Sequence, residues 1–186
     1  YKMIQEACRL LYQQGVDLSP YDTDGDGKVD NVYVIYAGYG QADSNVPNTI
    51  WPHSWNLSLA GQEITLGKVK VDRYATSQEL NGQSSKPVGI GTFVHEFGHV
   101  LGLADHYNTV NSASSNTPGS WDLMCSGSYN NDQNCPPTFS AFERHSLGWI
   151  NLTELDPATT DTLVTVPALE DQNFAYRVSI SGKDNE

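Results

Sequence analysis

The hydrophobic and polar positions of the chain follow two different periods, which together predict an α+β fold. Residues 2–14 carry apolar side chains at helical spacing, and Gly15 follows as a helix stop. Runs rich in β-branched and aromatic side chains predict strands at 31–37, 64–66 and 68–74. The polar residues 77–86 predict a loop. We expect the first helix to pack behind the sheet that these strands form.

The second half of the chain carries two more helical patterns and two more strand patterns. One helix follows residues 87–92 and runs to about Leu101, and a shorter one is predicted at 138–147. Strands are predicted at 163–166 and 174–180. The chain has 186 residues and no internal repeat. Residues 1–186 are therefore interpreted as one domain, with a twisted mixed sheet, a backing helix and a second helix.

The second predicted helix carries His95 and His99, four residues apart. At this spacing two side chains lie on one face of a helix, a turn apart, so both imidazoles can reach one metal ion. Neutral imidazole is a good zinc ligand. Glu96 is adjacent, where its carboxylate can take a proton from a metal-bound water without binding the metal itself. The pattern His-Glu-x-x-His therefore predicts a zinc hydrolase.

A third zinc ligand is expected just beyond this helix. Gly102 comes three residues after His99 and allows the chain to leave the helix through a left-handed turn. The turn can bring Asp105 back to the metal, and its spacing from Gly102 matches the extended metzincin motif, with aspartate where many members have histidine. His106, the next residue, is the alternative ligand.

An acidic loop near the start of the chain predicts a second kind of metal site. Aspartates occupy positions 1, 3, 5 and 9 of the loop, with glycine at position 6, as in an EF-hand. The expected calcium ligands are Asp22, Asp24, Asp26, the Lys28 carbonyl and Asp30. Tyr33 replaces the usual glutamate at position 12, and a strand follows instead of a helix. A metal-free acidic turn is the alternative interpretation.

The composition narrows the class of partners and the cellular location. A net charge of −12 argues against binding nucleic acid or anionic membrane surfaces. No apolar run is long enough to span a membrane. Only 17% of residues are charged, which we interpret as typical of an extracellular protein. The chain starts within a helix and ends directly after a strand. We therefore expect a catalytic segment excised from a longer precursor.

The three cysteines permit one short disulfide. Cys125 and Cys135 flank a polar loop that a bond between them would close, whereas Cys8 lies on the apolar face of the first helix. We expect the first two to pair and Cys8 to be a buried free thiol. The absence of a Cys-x-x-Cys pair argues against a zinc site built from cysteines.

Several segments together resemble the immune inhibitor A-like family of secreted bacterial metzincin peptidases. They are the aspartate loop with 31–38, the segment 50–55, the zinc motif, 122–129, 142–144 and 147–149. The resemblance implies a metzincin-like zincin fold, zinc-dependent endopeptidase activity, a secreted precursor with a propeptide, and structural calcium. It places zinc on His95, His99 and Asp105, the base on Glu96, and a Met-turn at Met124. In several metzincins a tyrosine two residues after this methionine assists the zinc site, and here that position is Ser126.

These features favour a secreted zinc endopeptidase acting on protein or peptide substrates. Two other functions fit parts of the pattern. One is a zinc hydrolase of a non-protein amide, such as a cell-wall crosslink. The other is an inactive binding module stabilised by calcium, although Glu96 argues against it because a decayed enzyme does not need its base.

Overall fold

The computed structural model describes residues 1–110, 117–156, 158 and 163–179, and within them the chain forms three α-helices and seven strands. The helices are α1 (Lys2–Gln13), α2 (Gly91–Val100) and α3 (Ala141–Ser146). The strands are β1 (Val32–Tyr39), β2 (His53–Asn56), β3 (Ile64–Leu66), β4 (Val69–Val71), β5 (Arg73–Leu80), β6 (Thr153–Leu155) and β7 (Tyr176–Val178). The predicted α+β class is confirmed. None of these helices has the length and hydropathy needed to cross a membrane.

The strands form a mixed three-stranded sheet and two smaller pairs. In the sheet, β5 lies at the centre, parallel to β1 on one side and antiparallel to β2 on the other. β3 and β4 form an antiparallel hairpin, and β6 and β7 pair in parallel. The sheet is therefore mixed, as the sequence predicts. The segment that forms β2 was not predicted to be a strand.

Helix α1 supplies one wall of the hydrophobic core. Its residues Ile4 and Cys8 are almost fully buried, and Cys8 is a free thiol, as expected. They pack with buried apolar side chains of the hairpin and of β5, which are Ile64, Leu66, Val69, Val71 and Tyr74. The core thus lies between α1 and the strands, which leaves the opposite side of β5 to contact α2.

The predicted loop at 77–86 is partly wrong, because β5 continues to Leu80. Its residues Thr76, Ser77 and Gln78 are buried but polar, so the strand has no hydrophobic periodicity to reveal it. Two of these side chains donate hydrogen bonds inside the protein. Thr76 donates a hydrogen bond to the Val34 carbonyl at 2.7 Å, and Gln78 donates to Asp43 at 3.2 Å.

The strand predicted at 68–74 is divided in two by Asp72. This buried aspartate separates β4 from β5, so the chain passes from the hairpin to the central sheet at this residue. Its carboxylate accepts hydrogen bonds from the Ser58 amide at 2.8 Å and from the Lys28 ammonium at 3.0 Å. A buried carboxylate needs such partners. These hydrogen bonds fix the chain where it passes from β4 to β5.

The last third of the chain is less regular than predicted. Residues 163–166 form no strand, and Leu163 is 97% exposed, so this prediction is wrong. The strand predicted at 174–180 is reduced to Tyr176–Val178, and Ile180 lies outside the described residues. The helix predicted at 138–147 begins only after Ser140, whose hydroxyl accepts from the Glu143 amide as an N-cap.

The predicted disulfide is also wrong. Cys125 is a buried free thiol and Cys135 an exposed one. Backbone hydrogen bonds close the intervening loop instead, including one from the Cys135 amide to the Asn130 carbonyl at 3.2 Å. The Cys135 sulfur accepts a hydrogen bond from the Asn131 amide group at 3.2 Å. The loop is therefore held without a covalent bond.

Candidate metal centre

The N-terminus of helix α2 is held by residues 128–133, which come later in the chain. A Cβ atom on Gly91 would lie 1.7 Å from the Ser128 carbonyl oxygen, so this close approach requires glycine. The Gln133 side chain accepts hydrogen bonds from the Thr92 hydroxyl at 2.6 Å and from the Thr92 amide at 3.3 Å. It thereby satisfies an amide that the first turn of a helix leaves without a partner. These contacts fix the direction in which α2 presents its side chains.

Both histidines of α2 are oriented by backbone carbonyls. The Nδ1 atom of His95 lies 2.9 Å from the Leu123 carbonyl oxygen, and Nδ1 of His99 lies 2.8 Å from the Leu103 carbonyl oxygen. A carbonyl oxygen only accepts, so Nδ1 of each ring must carry the proton. In a neutral imidazole this leaves a lone pair on Nε2, which is the form that binds a metal.

Asp105 completes a set of three ligand atoms. The chain turns at Gly102, with φ +104°, and returns one oxygen of Asp105 to 3.3 Å from His95 Nε2 and 3.2 Å from His99 Nε2. This oxygen is buried and receives no hydrogen bond. Three lone pairs therefore converge with no proton between them. A bound cation would remove the repulsion among them. Tetrahedral ligands about 2.0–2.1 Å from zinc lie roughly 3.3 Å apart, so the observed spacing fits that ion.

Glu96 lies beside these ligands at the wall of a cavity. Its side chain is buried, and this burial raises the pKa of the carboxyl group to about 7, while the neighbouring histidines oppose the rise. The cavity has a volume of about 370 Å³, and His95, Glu96 and Tyr107 contribute to its lining. A carboxyl group with this pKa can both accept and return a proton near neutral pH.

A methionine packs against α2 beside the candidate metal ligands. Met124 is fully buried, and a Cβ atom on Gly98 would lie 2.5 Å from its sulfur. Because Gly98 stands between the two histidines on α2, the methionine packs under the helix at that point. The preceding residue, Leu123, supplies the carbonyl that orients His95. One turn of the chain thus provides both an apolar floor and a hydrogen-bond acceptor.

Comparison with known proteins places this arrangement in a family. A profile described as "Immune inhibitor A peptidase M6, catalytic domain" matches residues 9–150. The chain belongs to this family. Immune inhibitor A of Bacillus thuringiensis subsp. alesti is 26% identical over 98% of the chain, which covers 31% of that protein. Pre-pro-metalloprotease PrtV of Vibrio cholerae serotype O1 is 27% identical over 83% of the chain, which covers 20% of that protein.

The family assignment confirms the resemblance seen in the sequence. Most of the length of each relative lies outside the aligned region. The chain spans about a third or less of the curated relatives it matches. The profile includes α2, the turn at Met124 and α3, so the ligand cluster lies within the matched region.

The other histidines of this M6 domain face different partners. His106, the alternative third ligand, places Nδ1 2.9 Å from Asp122 and belongs to a separate cluster. His53 makes hydrogen bonds with the Trp51 carbonyl at 2.7 Å and the Tyr74 hydroxyl at 2.9 Å, which engage both of its ring nitrogens. His145 is exposed on α3.

The acidic loop brings some of its predicted ligands together and separates others. Oxygens of Asp22, Asp24 and Asp30 lie within 4.8 Å of one another, and one buried oxygen of Asp22 has no hydrogen-bond partner. Asp26 is outside this group, and its carboxylate accepts from the Lys28 amide at 2.8 Å. Gly27, with φ +83°, makes the turn at loop position 6.

Several residues of the cavity had no signal in the sequence. Tyr107 and Thr92 line it without belonging to any motif, whereas Ser128 and Tyr129 lie in the segment 122–129 but had no predicted role. Burial and the nearby charge of Asp105 raise the pKa of Tyr107 to about 12, so its hydroxyl keeps its proton and can donate. The position of Tyr107, two residues after a predicted ligand, was the one available hint.

Proposed function

We propose that this M6 domain is a secreted zinc endopeptidase that hydrolyses internal peptide bonds. The observation that carries the proposal is the convergence of His95, His99 and Asp105, without a proton between them, beside the buried carboxyl of Glu96. The family assignment supports a peptidase, and the donor set of two imidazoles and a carboxylate suits zinc with one position left open.

The chemistry divides between the metal and the protein. Zinc, when bound, supplies an acidified water and a Lewis acid for the substrate carbonyl. Glu96 accepts the proton of the attacking water and returns it to the leaving amine, for which its pKa of about 7 is well matched. The Leu123 and Leu103 carbonyls hold the two histidines in the tautomer that binds metal. Tyr107 lines the same cavity, and we expect its hydroxyl to donate to an oxygen of the bound substrate.

The substrate is expected to lie extended along β2. Among the described residues β2 pairs only with β5, so its outer edge can accept a peptide as an added strand. Two cavities border the ligand cluster. One contains His95 and Glu96, and the other, of about 580 Å³, contains His99, Asp105 and the β2 residues 54–56. We expect a peptide that occupies both cavities to pass His95, His99 and Asp105, the residues that would hold zinc.

The test compares zinc content and peptide cleavage in matched variants. Glu96→Gln keeps the size and burial of the side chain but removes the base, so we expect about one catalytic zinc and a loss of turnover of at least about 100-fold. His99→Ala should lose the catalytic zinc and, with it, activity. Peptides with blocked termini should be cut at the same rate as peptides with free termini, because an endopeptidase does not recognise chain ends. Full turnover by Glu96→Gln would refute the mechanism.

The nature of the substrate is tested with the same preparations. Cleavage of peptidoglycan crosslinks but not of proteins would favour the non-protein amide hydrolase. Zinc binding without cleavage of either would favour an inactive binding module. The secreted location and a propeptide are proposed from the low charged fraction and from the resemblance to secreted peptidases, and the N-terminus of the mature protein in culture medium would test both.

We also propose that the acidic loop binds calcium as a structural ion. The support is the approach of Asp22, Asp24 and Asp30, whose mutual repulsion a divalent cation would offset. Asp26 and the Lys28 carbonyl are the remaining expected ligands. Calcium should raise the melting temperature of the wild type but not of Asp22→Asn, whereas the exposed Glu6→Gln control should keep the response. An unchanged shift in Asp22→Asn would contradict the site.

A further inference from the structure

A second cluster of metal-binding side chains lies beside the catalytic centre. His106, Asp122 and Glu143 each offer a ligand atom, and these atoms lie within 4.8 Å of one another. Glu143 is fully buried and Asp122 is 5% exposed. The three residues come from different parts of the chain, namely the segment after α2, the turn before Met124, and α3. None of them has a role in the reaction proposed above.

The hydrogen bonds within the cluster leave two carboxylate oxygens without a donor. His106 Nδ1 lies 2.9 Å from one oxygen of Asp122, and one oxygen of Glu143 accepts from the Ser140 amide. The second oxygen of Asp122 and the second oxygen of Glu143 are both buried and have no partner. Unpartnered carboxylate oxygens are costly away from water. The single imidazole proton directed at Asp122 satisfies neither of them.

We propose that this cluster binds a second transition-metal dication, of the class of Zn²⁺, independently of the catalytic zinc. Two carboxylates balance the charge of a divalent ion, and the three residues offer ligand atoms close enough together for one ion to bind all of them. An imidazole ligand suits zinc and its neighbours in the first transition series better than calcium, which prefers oxygen alone. The proposal goes beyond the peptidase function and does not depend on it.

The position of the cluster gives the second ion a structural role. His106 follows the ligand Asp105, and its amide donates to the Met124 carbonyl at 2.8 Å. Asp122 precedes Leu123, whose carbonyl orients His95. Glu143 ties the start of α3 to the same point through its capping interaction with Ser140. An ion here would therefore fix the backbone beside two of the catalytic ligands.

The test counts transition metal in purified protein after equilibration with Zn²⁺, with calcium in excess to saturate the acidic loop. Elemental mass spectrometry should give two zinc ions in the wild type. Glu143→Gln should hold one, because glutamine can still accept from the Ser140 amide but loses the charged ligand. His106→Gln should also hold one zinc ion, and this variant provides the same test if Glu143→Gln does not fold. Both should show a smaller rise in melting temperature with Zn²⁺.

Two further variants separate this site from the catalytic one. His99→Ala should lose one zinc, and the double variant with Glu143→Gln should hold none. His145→Asn removes an exposed imidazole elsewhere on α3 and should still bind two ions. If the wild type holds one zinc and Glu143→Gln holds the same amount, the proposal is overturned. The carboxyl groups of the cluster would then be satisfied by protons instead of a metal ion. If His99→Ala keeps two, the catalytic assignment fails while this one stands.

Discussion

Replacing Gly98 with alanine tests whether the methionine floor supports the metal ligands. The added Cβ atom would lie 2.5 Å from the Met124 sulfur, 3.2 Å from its Cε atom and 3.4 Å from a Phe139 ring carbon. Met124 is fully buried, so its side chain cannot move into solvent. The methyl group must therefore displace either the methionine or α2, which carries His95 and His99 on either side of the substitution.

Two effects of opposite sign decide the magnitude. Alanine is better than glycine in a helix by about 1 kcal/mol. Overpacking a buried site costs about 1–3 kcal/mol, and relief of this contact needs a shift of roughly 1 Å to reach a normal separation of about 3.5–4.0 Å. The steric effect is the larger. We expect Gly98→Ala to lower the free energy of unfolding by about 1 kcal/mol and peptidase activity by up to about 100-fold, because the ligands move.

A double-mutant cycle isolates the contact. Met124→Ala alone should cost about 2–5 kcal/mol by leaving a cavity. In that background the new methyl group enters free space, so Gly98→Ala should become neutral or stabilising by about 1 kcal/mol. Urea unfolding of the four proteins gives the coupling energy directly. The same destabilisation by Gly98→Ala in both backgrounds would refute the packing argument and assign the loss to the helix backbone.

Three further predictions concern buried polar groups and the metal. Gln133→Leu should lower the free energy of unfolding, measured by urea denaturation, by about 2–4 kcal/mol. The reason is that the Thr92 hydroxyl and the Asp43 carboxylate each lose a hydrogen-bond partner. Burial opposes ionisation of Asp72, but hydrogen bonds from Ser58 and Lys28 outweigh it and lower its pKa. Its ionised form therefore stabilises the fold above an unfolded pKa of about 3.9, and the stability deficit of Asp72→Asn should vanish as pH falls through the folded pKa. A persistent deficit at low pH would contradict this. Removal of metal with a zinc-selective chelator should abolish cleavage, and added Zn²⁺ should restore it; activity that survives chelation would exclude a zinc mechanism.

The ligand cluster was predictable because its spacing is local. A four-residue interval fixes two histidines on one helical face, and a glycine at the helix end allows the return to Asp105. The structure brings these three residues together and directs His106 elsewhere, which the sequence left open. The acidic loop was predictable for the same reason, although the position of Asp26 outside the oxygen cluster was not.

Most of the central strand was missed, because the part after Tyr74 is polar. Thr76, Ser77 and Gln78 are buried in β5, where their hydrogen bonds replace the apolar contacts that normally mark a core strand. A pattern of hydrophobic positions cannot detect such a segment. The error at Cys125 and Cys135 has a related origin, since short spacing suggested a disulfide where backbone hydrogen bonds already close the loop.

Contacts between residues that are distant along the chain had no signal at all, and they carry much of the site. The Leu123 carbonyl that orients His95 comes 28 residues later and depends on no side chain that a motif could specify. Gln133, which caps α2 through Thr92, follows it by 41 residues. The His106, Asp122 and Glu143 cluster is of the same kind, because folding alone brings its members together. A motif identifies which side chains do chemistry, whereas the groups that orient them emerge only when the topology is known.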